Sequence, residues 1–358
     1  MMITFCVVDE NAAIGSFPDH RFDYDTGEQA MQFLDTEIAP LGMGCWPIGG
    51  AMYSGDQSLG YTRADDSVSI RTIHAALDGG ITLFDTAAAY GAGHSERLLA
   101  RALKNRPEAL IATKIGHGID EASKQITFRD FLPSMVAPAV EGCLTRLERD
   151  RLDLLLLHVN EMPISQAEAV FDELDRLISA GKLRAYGWST DYSERASALS
   201  TKQNFKAVEY AMNVFFDAPR MQKVAQDAGL LSLIRSPLAM GVLSGKYDAQ
   251  TVLPSDDVRA SREDWMEYYR NGAANPALLE TLDAIRHLLT TDGRTLVQGA
   301  LSWLWGKSVV NVPVPGARTE DQIQGIAEAL HFGALPIEVM EEIETLIERD
   351  ETEPDRPR

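Results

Sequence analysis

The stretch Ile81-Thr-Leu-Phe-Asp-Thr-Ala-Ala-Ala-Tyr90-Gly91 decides both the fold and the place of the chemistry in this chain. It is an apolar run that ends in a carboxylate, Asp85, and Tyr90 follows one short turn later. Two later apolar runs also end in an ionisable side chain, Lys114 and His158. Open α/β sheets and α/β barrels carry their chemistry at the carboxyl ends of parallel strands. We therefore expect these four side chains to converge in one proton-transfer site.

Short apolar runs alternate with amphipathic stretches along most of the chain. Eight runs are predicted to be strands: Leu41–Trp46, Ile81–Asp85, Ala109–Lys114, Leu152–His158, Arg184–Ser189, Ala207–Tyr210, Leu231–Arg235 and Val309–Val314. Apolar residues at helical spacing predict helices over Asp65–Leu77, Glu96–Leu103, Ser134–Leu147 and Gln166–Ile178. Eight strand–helix units predict a closed (β/α)8 barrel, the TIM barrel, as a single domain. A doubly wound sheet ranks second, because it would usually end after fewer strands.

The pattern also divides the chain into three parts. Residues 1–30 are a polar extension without a clean period, residues 31–340 are the predicted barrel, and residues 341–358 form an acidic tail. The weak alternation of Leu34–Pro40 suggests a hairpin that closes the barrel floor. Two segments interrupt the strand–helix alternation, Gly116–Leu132 and Tyr247–Pro276. Loops of this length on a compact barrel are usually lids or binding loops.

Composition excludes several classes of protein. The 358 residues carry a net charge of −20, which argues against binding to a nucleic-acid backbone. The three cysteines (Cys6, Cys45 and Cys143) fit neither a zinc spacing nor a disulfide framework, and no metal site is predicted. The N-terminus lacks the basic start and apolar stretch of a signal peptide, and no run has membrane-spanning length. These features predict a cytoplasmic protein without a membrane or nucleic-acid partner, of undetermined oligomeric state.

Seven short motifs, in the right order from about residue 40 to residue 335, resemble the aldo-keto reductases. Each motif lies at a predicted strand end or in the loop that follows it. They are Leu41-Gly-Met-Gly-Cys-Trp46, Phe84-Asp-Thr-Ala-Ala-Ala-Tyr-Gly91 with His94-Ser-Glu96, Ile111-Ala-Thr-Lys-Ile-Gly116, the strand ending at His158, Gly181-Lys-Leu-Arg184 with Gly187-Trp-Ser189, Arg235-Ser-Pro-Leu238 with Gly245-Lys246, and Val314-Pro-Gly-Ala-Arg318.

The resemblance implies that Asp85, Tyr90, Lys114 and His158 are a catalytic tetrad for the reduction of an aldehyde or ketone. Hydride transfer to a carbonyl carbon leaves negative charge on the oxygen, and Tyr90 can supply the proton. A lysine ammonium ~4 Å from the phenol would stabilise the phenolate by up to roughly 4 kcal/mol, which lowers its pKa by about 3 units. Asp85 would keep Lys114 charged, and His158 would orient the carbonyl oxygen.

The same resemblance implies NADPH or NADP+ as the cofactor. Arg318 would contact the 2′-phosphate, Ser189 would bind the nicotinamide carboxamide, and the segment from Ser236 to Lys246 would wrap the pyrophosphate. Thr319-Glu-Asp-Gln322 has the form of a capping box that opens a helix over Thr319–Leu330, a natural phosphate site. The full predicted set is Ser189, Thr190, Arg235, Ser236, Leu238, Gly241, Lys246, Gly316, Arg318 and Gln322.

Several positions depart from the family pattern. Thr190 stands where asparagine is common, and Ala207 replaces a glutamine that contacts the carboxamide. Gly325-Ile326 replaces a Glu-Asn pair near the adenine, which predicts weaker contacts there. Arg235 stands in place of the aromatic residue that stacks on the nicotinamide.

Two other functions compete with a carbonyl reductase. Lys114 at a strand end could form a Schiff base with a carbonyl substrate, as aldolase-like barrels do. The chain could also be a non-catalytic NADP-binding sensor that retains the tetrad. In each enzymatic case the partner is a small carbonyl or alcohol, and Trp46 is predicted to line its pocket.

Overall fold

The structure is a computed structural model that describes residues 20–22, 29–127, 130–261 and 265–348. Its centre is a sheet of eight parallel strands. We number them β1 (Gly42–Gly44), β2 (Leu83–Asp85), β3 (Leu110–Ile115), β4 (Leu152–Leu157), β5 (Leu183–Ser189), β6 (Phe205–Ala211), β7 (Leu231–Arg235) and β8 (Asn311–Pro313). Each strand pairs with the next along the chain, as the sequence predicts.

The sheet closes on itself where β1 meets the end of β8. The backbone N–H of Gly44 donates to the carbonyl of Pro315 (3.0 Å), and Gly44 also pairs with Gly316 in parallel. A Cβ atom at position 44 would lie 2.5 Å from the carbonyl oxygen of Val314, so this closure requires glycine. The predicted barrel is confirmed, and the doubly wound alternative is wrong.

Ten helices accompany the barrel in the described part of the chain. They are α1 (Asp66–Asp78), α2 (His94–Ala102), α3 (Val136–Leu147), α4 (Ile164–Ser179), α5 (Ser193–Leu199), α6 (Pro219–Asp227), α7 (Pro276–Leu289), α8 (Leu296–Lys307), α9 (Glu320–Ala327) and α10 (Ile337–Leu346). Local sequence fixes their starts. The Asp65 carboxylate, for example, accepts from the N–H of Val68 (3.0 Å) and caps α1.

Strand ends differ from the sequence prediction by a residue or more, most clearly after β1 and before β8, and one cap differs as well. Trp46 begins a 3₁₀ turn (Trp46–Ile48) instead of extending β1, because Pro47 cannot donate to a ladder. Val309 is exposed and lies before β8. The capping box at α9 is half formed: Thr319 accepts from the N–H of Gln322, but the Gln322 side chain accepts from the N–H of Arg318. Helix α9 ends at Ala327, and a 3₁₀ turn over Glu328–His331 completes the predicted span.

A hairpin fills the amino-terminal end of the barrel, as Leu34–Pro40 suggested. Strands Gln29–Phe33 and Thr36–Ile38 pair antiparallel, and His20–Phe22 pairs with the first of them. Met31, Phe33 and Ile38 are buried in one cluster with the inward side chains of the barrel strands, among them Leu83 and Leu156. The remaining residues of the predicted extension, 1–19 and 23–28, lie outside the described residues.

The carboxyl-terminal boundary lies later than predicted. Helix α10 runs across residue 341, where the acidic tail was predicted to begin, and Met340, Ile343 and Ile347 are buried against the domain. Residues 349–358 lie outside the described residues. None of the helices in the described part of the chain is long and apolar enough to cross a bilayer.

The two long interruptions fold over the carboxyl ends of the strands. In the first, strands Gly118–Asp120 and Gln125–Thr127 form a hairpin that joins the strands Tyr53–Ser54 and Gln57–Ser58 in a small sheet. The second contains a 3₁₀ turn and a short hairpin, and Asp257 in it bridges to Tyr61. Residues 128–129 and 262–264 of these segments are not described.

Candidate active site

A cavity of about 1130 Å³ opens at the carboxyl ends of the barrel strands. Its lining brings together most of the residues singled out from the sequence: Trp46, Asp85, Tyr90, His158, Ser189, Arg235, Ser236, Leu238, Gly241, Lys246, Gly316, Arg318 and Gln322. Lys114 lies directly behind this wall and is fully buried. A single cavity therefore joins the predicted catalytic groups to the predicted cofactor residues.

Lys114 is the centre of the catalytic group. Its Nζ donates to Asp85 Oδ1 (2.5 Å), to the backbone carbonyl of Thr86 (3.0 Å) and to the Tyr90 hydroxyl (3.4 Å). Asp85 ends β2 and Lys114 lies near the end of the adjacent β3, so the sheet itself sets this contact. Burial acts to lower the pKa of Lys114, but the neighbouring carboxylates raise it above its usual value, which keeps the ammonium charged.

A tight turn after β2 carries Tyr90 to the lysine. Gly91 has a φ of +61°, and a Cβ atom there would lie 1.9 Å from the carbonyl oxygen of Gly49. Only glycine fits this close approach. The turn thereby directs the Tyr90 ring to the cavity, where it lies half-buried with its hydroxyl against Lys114.

The sequence analysis missed a second carboxylate at this lysine, Glu209. Its Oε2 lies 3.1 Å from Lys114 Nζ, its Oε1 accepts from the Ser189 hydroxyl (3.1 Å), and it is 1% exposed. The signal in the sequence was a carboxylate inside the apolar strand Phe205–Ala211.

Burial, together with the two carboxylates, reverses the expected shift of the Tyr90 pKa. Burial raises the pKa of Tyr90, Lys114 lowers it, and Asp85 and Glu209 raise it again, so that the net shift is upward. The predicted lowering is wrong because burial, the largest cause, and the two carboxylates together outweigh the single ammonium. Tyr90 therefore keeps its proton throughout the physiological pH range.

His158 reaches the cavity from the end of β4, as predicted. Its ring meets the Tyr90 ring edge-on, with centroids 6.0 Å apart, and lies 5.1 Å from the ring of His117. Burial, with His117, Lys114 and Arg235 as further causes, holds the pKa of His158 well below its usual value. Burial also lowers the pKa of His117, to about 4. Both imidazoles are neutral at neutral pH, so they can hydrogen-bond a carbonyl oxygen without adding charge.

The depressed pKa of His117 predicts a loss of stability in acid. Below its unfolded pKa of about 6.5 the unfolded chain takes up a proton that the folded chain refuses, until the pH approaches 4. We expect the free energy of unfolding to fall between pH 6.5 and 5, and His117→Gln to reduce that fall by about 1 to 2 kcal/mol. Denaturant unfolding at several pH values measures it. The exposed His287→Gln is the control, and an unchanged slope in His117→Gln would contradict the assignment.

The cofactor side of the cavity begins at α9. Arg318, just before this helix, lines the cavity and donates to the backbone carbonyl of Arg63. Gly316 lies on the same wall, and a Cβ atom there would lie 2.5 Å from Pro47 Cγ. A cation beside a helix N-terminus is unfavourable unless an anion lies between them, so this arrangement fits a phosphate.

The segment after β7 has a strained backbone. Ser236, Ala239 and Met240 all have positive φ (54°, 49° and 50°), followed by Gly241 at 105°. Such a run is costly for side-chain-bearing residues and is typical of ligand-binding loops. Consecutive N–H groups in turned backbone can form an anion-binding concavity. This geometry fits the pyrophosphate-wrapping role that the resemblance implies.

Three of the positions that depart from the family pattern, Thr190, Ala207 and Arg235, differ in where their side chains lie and what they contact. Thr190 is fully buried and donates to the carbonyl of Asn160 (2.8 Å), so its side chain is not on the cavity wall. Ala207 lies nearer the amino-terminal end of the barrel, in the buried cluster that contains Met31 and Phe33. Arg235 does reach the cavity but forms an ion pair with Asp191. A direct side-chain contact from Thr190 to a cofactor therefore has no geometric support.

The Trp46 ring covers one face of the Tyr90 ring. The two rings are stacked with centroids 6.0 Å apart, and the indole N–H donates to the carbonyl of Leu59 (3.1 Å). Because Trp46 also lines the cavity, its predicted place beside the substrate fits the structure.

The barrel brings a buried lysine, a carboxylate and a tyrosine together at the carboxyl ends of its strands. The profile of the Aldo/keto reductase family matches residues 40–348. Aldo-keto reductase YhdN of Bacillus subtilis (strain 168) is 29% identical over 90% of this chain and 93% of its own length. The NADH-specific methylglyoxal reductase of Escherichia coli (strain K12) is 24% identical over 83% of this chain and 91% of its own.

Solved structures agree. The glycerol dehydrogenase AKR11B4 from Gluconobacter oxydans superimposes with a TM-score of 0.74 at 29% identity, covering 92% of this chain and 98% of the other. The chain belongs to the aldo/keto reductase family.

Proposed function

We propose that the protein reduces an aldehyde or ketone to an alcohol with NADPH, and that Tyr90 is the proton donor. The observation that carries this proposal is the contact of 3.4 Å between the Tyr90 hydroxyl and the buried ammonium of Lys114, at the wall of a cavity large enough for a dinucleotide and a small substrate. Incubation with NADPH and a series of aldehydes, ketones and sugars tests it.

The residues of this chain divide the chemistry among them. NADPH, when bound, supplies the hydride to the carbonyl carbon. Tyr90 holds its proton until negative charge develops on the substrate oxygen, and then donates it. Lys114 stabilises the phenolate that remains, while Asp85 keeps the lysine in place. The neutral imidazole of His158 can hydrogen-bond the same oxygen. In the reverse direction the Tyr90 phenolate is the base for an alcohol.

The cofactor-binding residues fit a phosphorylated dinucleotide. Arg318 offers a planar guanidinium suited to a phosphate, and the strained Ser236–Gly241 segment offers backbone N–H groups. On the adenine side, a Cβ atom at Gly325 would meet nothing within 4 Å, so the cavity wall is open there. The E. coli relative is described as NADH-specific, so the role of Arg318 needs its own test.

The substrate is proposed to be a small carbonyl compound or its alcohol. Two relatives are described as a methylglyoxal reductase and a glycerol dehydrogenase. The cavity around Tyr90 combines apolar Trp46 and Leu59 with polar Gln57 and His117, a mixture that suits a short hydroxylated carbonyl.

The geometry disfavours a Schiff base at Lys114. That reaction needs a neutral, accessible amine, whereas Lys114 is fully buried and its pKa is raised. We expect borohydride, added with a substrate aldehyde, to leave Lys114 unmodified. Peptide mass mapping measures the result, and the exposed Lys104, which is not on the cavity wall, reports nonspecific labelling. A reduced adduct on Lys114 would instead support the aldolase-like reaction.

A sensor that binds NADP without turnover remains the second candidate. The adenine-side wall, where Gly325 and Ile326 offer no polar side chain, leaves this function open. Turnover of any carbonyl substrate with NADPH separates the two functions.

A further inference from the structure

The cavity holds more negative than positive charge at its catalytic end. Asp85 and Glu209 both contact Lys114, at 2.5 Å and 3.1 Å, so two formal negative charges face one positive charge. Arg235 does not correct the balance, because it is paired with Asp191. His158 is neutral at neutral pH, since its pKa is held low. Formally, one negative charge is left over.

Of the two carboxylates at Lys114, Glu209 is the one with an oxygen that lacks a hydrogen bond. Its Oε2 has no hydrogen-bond donor among the residues that the structure describes, because the contact with Lys114 has the length of an ion pair without hydrogen-bond geometry. Glu209 is nevertheless almost completely buried and lines the cavity. A buried carboxylate with incomplete compensation is costly, and a bound cation would offset that cost.

Glu209 also joins the catalytic lysine to Ser189. Ser189 and Glu209 lie directly opposite in the paired strands β5 and β6. The Ser189 hydroxyl has one proton, and it donates that proton to Glu209 Oε1. Toward a ligand Ser189 can then only accept, which suits the amide N–H₂ of a carboxamide.

From this arrangement we infer that Glu209 is a positioning residue that makes the cavity bind the oxidised dinucleotide in preference to the reduced one. The inference rests on the proposed function, which puts the nicotinamide beside Ser189. The oxidised ring carries a positive charge and the reduced ring is neutral, so excess negative charge at Glu209 stabilises only the former. Burial, and then Glu209, raise the pKa of Asp85 well above its usual value, so the excess negative charge is complete only at alkaline pH.

The test compares dissociation constants for NADP+ and NADPH, measured by quenching of tryptophan fluorescence from about pH 7 to about pH 10, because the raised pKa of Asp85 makes the excess negative charge grow with pH. We expect Glu209→Gln to reduce the preference, Kd(NADPH)/Kd(NADP+), by about fivefold or more, the scale of one unit charge in a partly polar cavity. Glutamine keeps an acceptor for Ser189, and Lys114 keeps Asp85, so the variant should fold.

Asp153→Asn is the matched control: Asp153 is a buried carboxylate near the start of β4, paired with Arg149 and Arg184 and absent from the cavity wall. Its preference should stay within about twofold of the wild type.

Ser189→Ala provides a second variant that keeps the charge. It should weaken both dinucleotides by a similar factor and leave the preference intact. If Glu209→Gln did not fold, Asp85→Asn should lower the preference in its place, because it removes the same unit of charge from Lys114. An unchanged preference in a folded Glu209→Gln or Asp85→Asn protein that binds both dinucleotides would overturn this inference alone. A wild-type protein that bound neither would overturn the proposed function, and this inference with it.

Discussion

Replacing Tyr90 with phenylalanine is expected to lower the rate of carbonyl reduction by about 100-fold or more, the scale for loss of a general acid. The affinity for NADPH should change little, because the residues proposed to bind the phosphates lie elsewhere in the cavity. Stability should also change little, because the hydroxyl makes only a long contact of 3.4 Å with Lys114. Steady-state kinetics with an accepted aldehyde, together with a fluorescence titration of NADPH, separates these effects.

Tyr210→Phe is the matched control for this substitution. Tyr210 is also buried, lies next to Glu209 and bonds Ser232 through its hydroxyl (2.6 Å), but it is not on the cavity wall. Its loss should cost about 1 kcal/mol of stability and leave the rate nearly unchanged. If Tyr90→Phe kept most of its rate, another group would have to supply the proton.

Replacing Arg318 with alanine is expected to raise the dissociation constant for NADPH by about 10- to 100-fold, as befits a charge-assisted hydrogen bond to phosphate. The constant for NADH should stay within about twofold, because NADH lacks the 2′-phosphate that the guanidinium is proposed to bind. Titration of the two reduced cofactors against wild type and variant measures the difference.

The neighbouring Arg63 supplies the control. It is an exposed arginine whose backbone carbonyl accepts from Arg318, and that carbonyl survives Arg63→Ala. Binding of NADPH by Arg63→Ala should therefore be close to that of the wild type. If Arg318→Ala weakened the binding of NADPH and NADH by the same factor, Arg318 would not contact the 2′-phosphate. NADH would then be the better candidate for the physiological cofactor.

Strand order and the convergence of the tetrad could be predicted because both follow from local pattern and topology. Eight apolar runs separated by helical stretches leave few arrangements other than a closed barrel. Parallel strands then bring their carboxyl ends to one face, and this alone places Asp85 beside Lys114.

Contacts between side chains that meet across the barrel from distant parts of the sequence could not be predicted. Along the chain, Glu209 is 51 residues from the nearest member of the tetrad and 124 from the farthest. Only the closure of the barrel brings its carboxylate to Lys114. The lysine alone was expected to lower the pKa of Tyr90, but burial, the largest cause, and the two carboxylates raise it. Thr190 matched a family position by order, but its hydroxyl turns to the backbone of Asn160. Order along the chain does not determine which face of a strand end meets the cavity.

The central claim is that the Tyr90–Lys114 pair turns this cavity into a reductase site. The most direct measurement is the loss of reduced-nicotinamide absorbance when the purified wild-type chain is mixed with NADPH and a small aldehyde, in parallel with Tyr90→Phe. We predict aldehyde-dependent oxidation of NADPH by the wild type that is almost absent in the variant. Tight NADPH binding without oxidation by any aldehyde, ketone or sugar would contradict the claim and favour the sensor.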